Sequence, residues 1–239
     1  MDAPASADGL SLLDLPAALR THGYETLQLV HFHVPSRDQS YVEKLRAALA
    51  ESGVTLDAVL IDDGDLTAPD ADAAEAWIGD WIGTASAFGA RRARVVAGKA
   101  APTPESIRES ARRLTRLAAS HPDIRVVIEN WWGMLPDADA VLALLEATGD
   151  SVGLLVDLGN WSGPDKYEQL ARIAPLAETC HAKCRFSESG PDREDFRRSL
   201  QVLSQAGFEG PLALIYDGPD DDEWGCLDIE FGIVNEVFG

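Results

Sequence analysis

The chain has 239 residues, 46% of them apolar and 25% charged, which suits one domain with a large buried core. Lys and Arg number 20 against 40 Asp and Glu, and the resulting formal charge of −20 repels phosphate backbones and anionic lipid surfaces, so neither nucleic acid nor membrane is an expected partner. No apolar run approaches the ~20 residues of a bilayer span, MDAPASADG lacks a basic flank and a signal core, and Cys180, Cys184 and Cys226 form no CxxC pair; a cytoplasmic protein without a disulfide framework is expected.

Residues 1–10 are polar and contain Ala, Pro and Gly, with no strand pattern. LLDLPAALRTHGY predicts a helix entered through Asp14 with Pro16 in its first turn. From residue 26 onward, aliphatic runs alternate with helical stretches. Strands are predicted at 26–34, 58–63, 93–98, 125–131, 152–159, 179–186 and 211–218. Between them, YVEKLRAALAES keeps Val42, Leu45, Ala48 and Leu49 on one face. Thr103-Pro104 caps a long Arg-rich helix, and Gly53, Gly149 and Gly207 fall just after helix ends. The Asp-rich stretches GDLTAPDADAAEA and DGPDDDEWG read as loops. This alternation predicts a single α/β domain over residues 1–239, a (β/α)8 TIM barrel whose first strand is either missing or formed poorly by residues 1–10. A missing strand leaves edges near Thr26 and Gly218 that residues 1–10 or a partner chain must cover, so a homo-oligomer enters the expectations.

Strands of a parallel barrel are covered on both faces and should be almost wholly apolar. Three successive strands break that rule at their C-terminal ends, with Glu129 closing RVVIE, Asp157 closing VGLLVD and His181 inside TCHAK. Singly, each is more often a helix cap or a satisfied polar group. Together they form an oxygen-plus-nitrogen set suited to one divalent ion, Mn, Mg, Zn or Co. Residues two apart on a strand share a face, which places Lys183, and Arg185 beyond it, with His181 and Trp131 with Glu129. Lys183 then becomes a candidate catalytic group beside Glu129, or merely its counter-ion. Trp131 offers an apolar wall for a sugar ring or ordinary barrel packing. Lys99 and His33 sit at the same rim as candidate substrate contacts, each with a solvated loop residue as the plainer reading.

The segments IENWW (128–132), VDLGNW (156–161), CHAKCR (180–185) and GPLALIYDG (210–218) resemble, in order, signatures of the xylose isomerase-like TIM-barrel superfamily, in its sugar phosphate isomerase/epimerase branch. The resemblance covers roughly residues 11–225. It implies that Glu129, Asp157 and His181 bind one divalent metal, that Glu129 also serves in acid/base catalysis, and that Asn160 contacts substrate. One departure stands out. The family's last ligand is a glutamate on strand eight, and Ile215 occupies its place. Asp217, two residues on, is a candidate substrate contact displaced by roughly 6 to 7 Å along the strand. The resemblance therefore implies a metal-dependent isomerase, epimerase or lyase that abstracts a proton from a small sugar-like compound and stabilises an enediolate. Loss of the second glutamate leaves two alternatives open: a barrel that binds a small ligand without turnover, and, against the charge and the five histidines, an apurinic endonuclease-like enzyme.

Overall fold

A computed structural model describes residues 9–219 and 221–239 of the chain. The first eight residues of the expected irregular opening lie outside the described ones, and Gly9 and Leu10 belong to no strand.

The element order is α1 (Leu15–Thr21), β1 (Thr26–Val30), α2 (Gln39–Ser52), β2 (Thr55–Ile61), α3 (Ala71–Phe88), β3 (Arg92–Val95), α4 (Pro104–Ser120), β4 (Arg125–Glu129), α5 (Ala138–Thr148), β5 (Gly153–Asp157), α6 (Lys166–Ile173) and β6 (Ala177–Ala182). A two-stranded hairpin, β7 (Phe186–Ser187) and β8 (Gly190–Pro191), precedes α7 (Arg193–Gln205), β9 (Leu212–Leu214) and α8 (Glu223–Phe238). Seven strands form one parallel sheet in the order β1-β2-β3-β4-β5-β6-β9, flanked by the helices. The sheet curls into a nearly closed TIM barrel. Its two end strands, β9 and β1, are not hydrogen-bonded to one another.

Local chemistry sets the helix ends. Thr103 accepts from the Ser106 amide while Ser106 accepts from the Thr103 amide, a reciprocal capping box, and Pro104 fills the first turn of α4. Gly53 closes α2 at φ 70°, a left-handed conformation that a Cβ would strain.

Several predicted strands run too long. The run 26–34 ends at Val30, because His31–His33 turn as a 3-10 helix and the His31 ring packs edge-on against Trp77 and Trp81 at 5.3 Å. The run 211–218 keeps only Leu212–Leu214, since an edge strand has a bonding partner on one side alone. The strand read at 179–186 begins at Ala177 and stops at Ala182, after which the chain enters the β7–β8 hairpin. The first Asp-rich stretch is a loop only to Asp70, with α3 beginning at Ala71, and the second gives way to α8 at Glu223.

Alternation along the strands divides the interior in two. Residues such as Leu154 and Val156 face the helices in one large core, while Ala58, Leu60, Val127 and Leu155 fill the barrel itself as a small apolar layer against Val30. Toward the strands' N-terminal ends this layer rests on a polar floor. Asp57 is buried, ion-paired with Arg92, and accepts from Gln28 Nε2 at 2.9 Å and Thr179 Oγ1 at 2.9 Å. Above it, at the C-terminal ends, lies the candidate site. No helix among the described residues is long and apolar enough to cross a membrane.

Candidate metal centre at the C-terminal rim

Glu129 and Asp157 are the last residues of β4 and β5, and His181 pairs in register with Asp157 across β5 and β6. Each shares the inward parity of the apolar layer beneath, so the three side chains meet inside the barrel. One ligand atom from each lies within 4.8 Å of the others, and all three residues are buried. Among the described residues this is the one group of three or more His, Cys, Asp or Glu with such geometry.

The supporting contacts fix each group. Asp157 Oδ1 accepts from the Gly159 and Asn160 amides at 2.6 and 2.8 Å. Asn130 braces the same strand end, donating to the Asp157 carbonyl at 3.0 Å and accepting from its amide at 2.7 Å. Asn160 Nδ2 donates to Glu129 Oε1 at 2.8 Å. Gln28 orients the histidine. Its amide nitrogen is engaged with Asp57, so its carbonyl oxygen, 2.7 Å from His181 Nε2, accepts that nitrogen's proton. His181 Nδ1 is thereby turned to Asp157 Oδ2 at 3.4 Å and Glu129 Oε1 at 3.5 Å.

A residue that the strand pattern did not single out completes the cluster. Arg94, on β3, is 3% exposed, ion-paired with Asp62, and its Nε lies 3.0 Å from Glu129 Oε2. That contact lacks hydrogen-bond geometry, so Oε2 is buried without a hydrogen-bond donor among the described residues. The guanidinium also lies 5.2 Å from the Trp131 ring centroid. Burial alone would raise the Glu129 carboxyl, but Arg94 and then His181 overcome it and hold Glu129 well below the usual carboxylate range. Burial likewise opposes charge on His181, and Glu129 and Asp157 reverse that effect, raising the imidazole above its ordinary value. The alternation Arg92, Arg94 and the lone polar Gln28 in TLQLV were the signals for these inward groups.

The other expected residues divide. Lys183 is ion-paired with Asp217, and both stand at the rim. Its stem lies on the Gly159 backbone, where an added Cβ would come within 3.1 Å of Lys183 Cγ and Cδ. Trp131 stacks at a tilt on Trp132, ring centroids 4.8 Å apart, and the two line a recess with Asn130, Asn160 and Trp161. Trp132 holds φ 60°, an uncommon value for a bulky residue and a local strain at this loop. Lys99 pairs with Asp63 at 3.7 Å and lies 5.1 Å over the Trp132 ring. Arg185 and His33 are exposed, with His33 against Phe32 rather than in the cluster. Ile215 lines the same cavity as His181, the one bounded by β1 and β9. Of the remaining histidines, His22 stacks on Trp224, His31 sits beneath α3 and His121 bonds the Leu117 carbonyl.

The xylose isomerase-like TIM barrel family profile matches residues 16–225. The chain belongs to that family. Its solved fold neighbours include a xylose isomerase domain protein from Planctomyces limnophilus, 17% identical with a TM-score of 0.72, covering 93% of this chain and 92% of the other. The probable 3-DHS dehydratase AsbF of petrobactin synthesis from Bacillus anthracis is 13% identical, with a TM-score of 0.72 and coverage of 95% and 94%. The D-psicose 3-epimerase of Clostridium cellulolyticum H10, solved with D-tagatose, is 12% identical, with the same TM-score and coverage of 95% and 94%. At these identities the likeness is one of fold. No curated protein matches the chain in sequence.

Proposed function

We propose that the protein is a divalent-metal-dependent isomerase, epimerase or lyase acting on a small sugar-like polyol or keto sugar. The observation that carries this reading is the convergence of Glu129, Asp157 and His181 at adjacent strand ends. The donor set fits a hard or borderline divalent ion. Two carboxylates face one imidazole whose other nitrogen is held by Gln28, and Glu129 Oε2 is buried without a hydrogen-bond donor among the described residues. When bound, such an ion supplies Lewis-acid polarisation of a substrate oxygen.

The chain's own groups do the rest. Glu129 and Asp157 bind the ion as carboxylates, and Glu129, the family's acid/base position, faces the substrate from β4. Lys183 delivers or accepts the second proton at the rim, with Asp217 as its counter-ion and Gly159 leaving space for its stem. Trp131 and Trp132 exclude water along one side of the substrate, and Asn160, Lys99, Arg185 and His33 supply polar contacts around it. With Ile215 in place of a carboxylate, the reaction uses unlike groups on its two faces. The epimerase and dehydratase names among the fold neighbours agree with this class of proton chemistry.

One observation favours the alternative of a ligand-binding barrel without turnover. The Arg94 guanidinium already lies 3.0 Å from Glu129 Oε2, and His181 Nδ1 lies 3.4 Å from Asp157 and 3.5 Å from Glu129. The two readings separate in one experiment: calorimetric titration with Mn2+, then incubation of the loaded protein with five- and six-carbon keto sugars in D2O and NMR detection of deuterium at carbon. Mn2+ binding with deuterium incorporation supports the enzyme. A protein that takes up neither ion nor deuterium is the silent barrel.

A further inference from the structure

Arg94 stands between two carboxylates and bonds the less buried one. It projects from β3, in the middle of the closed wall and away from the seam between β9 and β1 where strand bonding stops. In the parallel register it lies opposite Leu60 on β2 and Val127 on β4. Asp62 and Glu129 come two residues after those partners, so both carboxylates fall on Arg94's face of the sheet, one step of roughly 6 to 7 Å nearer the C-terminal rim. The guanidinium thus has a carboxylate on either side. Its Nη2 donates to Asp62 Oδ1, whose side chain is 24% exposed. Its Nε, 3.0 Å from Glu129 Oε2, makes no hydrogen bond there, although the Glu129 side chain is only 6% exposed. Burial argues for the opposite choice, because a buried oxygen loses more without a donor than one that water can reach. Among the described residues nothing bonds Glu129 Oε2, Arg94 Nε or Arg94 Nη1. Asp62 is itself held in place. Its amide donates to His31 Nδ1 at 3.3 Å, and the His31 ring is wedged against Trp77 and Trp81.

We infer that Asp62 is a positioning residue for the metal centre: by taking the guanidinium's hydrogen bond it keeps Arg94 from closing a bonded pair with Glu129, and so reserves the charge of Glu129 for a divalent cation. The inference rests on the metal-dependent reading proposed above and adds the residue that governs the affinity of that site. A guanidinium hydrogen-bonded to a carboxylate is a charge-assisted pair that neutralises the anion and occupies its lone pairs. Without the charge of Asp62, the same guanidinium has Glu129 as its remaining ion-pair partner and two unused donors, Nε and Nη1, to give it. Arg94 then serves as a built-in cation in place of the ion. With Asp62 ionised, the guanidinium still eases the repulsion between Glu129 and Asp157 when no ion is bound, but leaves the Glu129 oxygen unbonded.

The test is a double-mutant cycle on the full chain, read as Mn2+ affinity by calorimetry after removal of chelator, with melting by circular dichroism to establish that each variant is folded. Asp62→Asn, which keeps the shape and removes the charge, should weaken Mn2+ binding by about fivefold or more. In an Arg94→Met background the same substitution should change the affinity by less than about twofold, because the guanidinium that it releases is gone. Asp62→Glu, which keeps the acceptor, should retain most of the wild-type affinity. Asp62→Ser and Arg94→Gln stand in for either variant that fails to fold. An unchanged affinity in Asp62→Asn overturns the inference. So does an equal loss in both backgrounds, which would make Asp62 a charge acting through space and not the holder of Arg94. Mn2+ binding by the Arg94 variant but not by the wild type leaves the metal reading standing and overturns the inference, since Asp62 has then failed to keep the guanidinium away. Binding by neither protein overturns the metal centre, and the inference with it.

Discussion

Two buried glutamates on opposite sides of the barrel meet opposite fates. Glu129, at the end of a strand bonded on both edges, is kept ionised by Arg94 and His181. Glu230, on the α8 helix behind the seam, is fully buried and accepts one bond, from the Cys184 amide at 2.8 Å, while its second oxygen has no partner among the described residues. Burial first and Asp217 second push the Glu230 carboxyl up to about 8, against the Cys184 bond and the weaker influence of Lys183. The contrast shows that burial does not by itself decide a carboxyl's charge. The deciding factor is whether the fold delivers a cation to it, and the closed side of this barrel does so where the seam side does not.

The most damaging way to break this contrast is Glu129→Ala. It removes one anion from a buried cluster and leaves Arg94 and His181 with less compensation, at an expected cost of up to about 5 kcal/mol in urea unfolding with chelator present. A loss under about 1 kcal/mol would mean that the cluster is already solvated.

Next comes the pH dependence of Glu230. Unfolded, its carboxyl releases a proton near 4.5, and folded it does so near 8. Between those values the unfolded chain binds fewer protons, so this group's contribution to stability falls as pH rises from 4.5 to 8 and is level above. The shift corresponds to roughly 3 to 4 kcal/mol at 1.36 kcal/mol per pH unit, discounted for partial solvation. Glu230→Gln keeps the acceptor for Cys184 and removes the ionisation. It should match the wild type at pH 5 and exceed it at pH 9, and parallel stability curves for the two proteins would refute the assignment.

Smaller again is a pair of cavity substitutions. Leu155→Ala, on fully buried β5, should cost about 3 kcal/mol, and Leu214→Ala, on the half-exposed β9, about 1 kcal/mol. Equal losses would show that the seam is packed as tightly as the closed wall.

The mildest prediction sharpens the site. Arg94→Met removes the internal cation that competes for Glu129, and Mn2+ affinity should rise about tenfold, or about 1.4 kcal/mol by calorimetry. An unchanged affinity would mean that the guanidinium does not oppose the ion.

The same contrast explains what was legible in the sequence. Strands covered on both faces are apolar by necessity, so β2 to β6 stand out, and so do ionisable residues at their ends such as Glu129, Asp157 and His181. Lys183 follows His181 by two residues, and its ammonium pairs at the rim with Asp217 of the segment after β9, a partner that no local pattern encodes. Arg94 was obscured because an arginine in an Arg-rich chain looks solvated, and only its parity with Arg92 marks it as inward. The β7–β8 hairpin has strands of two residues each, too short to show any periodicity.

The open seam also bears on how the chain folds. Every bonded pair in the seven-stranded sheet joins parallel strands adjacent in its order, and among the described residues no backbone ladder links β1 to β9. The ring is drawn together instead by side chains, Gln28 to Thr179 at 3.0 Å, Gln28 to His181, and Thr179 to Asp57, contacts that span 122 to 153 residues. Side-chain closure of so long a loop adds entropy cost without the cooperativity of a ladder. The strands can therefore assemble progressively from neighbour to neighbour, with the polar floor locking last. In native-state hydrogen exchange, the amides of β1 and β9 should open together at a free energy below that of β4 and β5, so that the barrel breathes along one line while the rest of its wall stays shut.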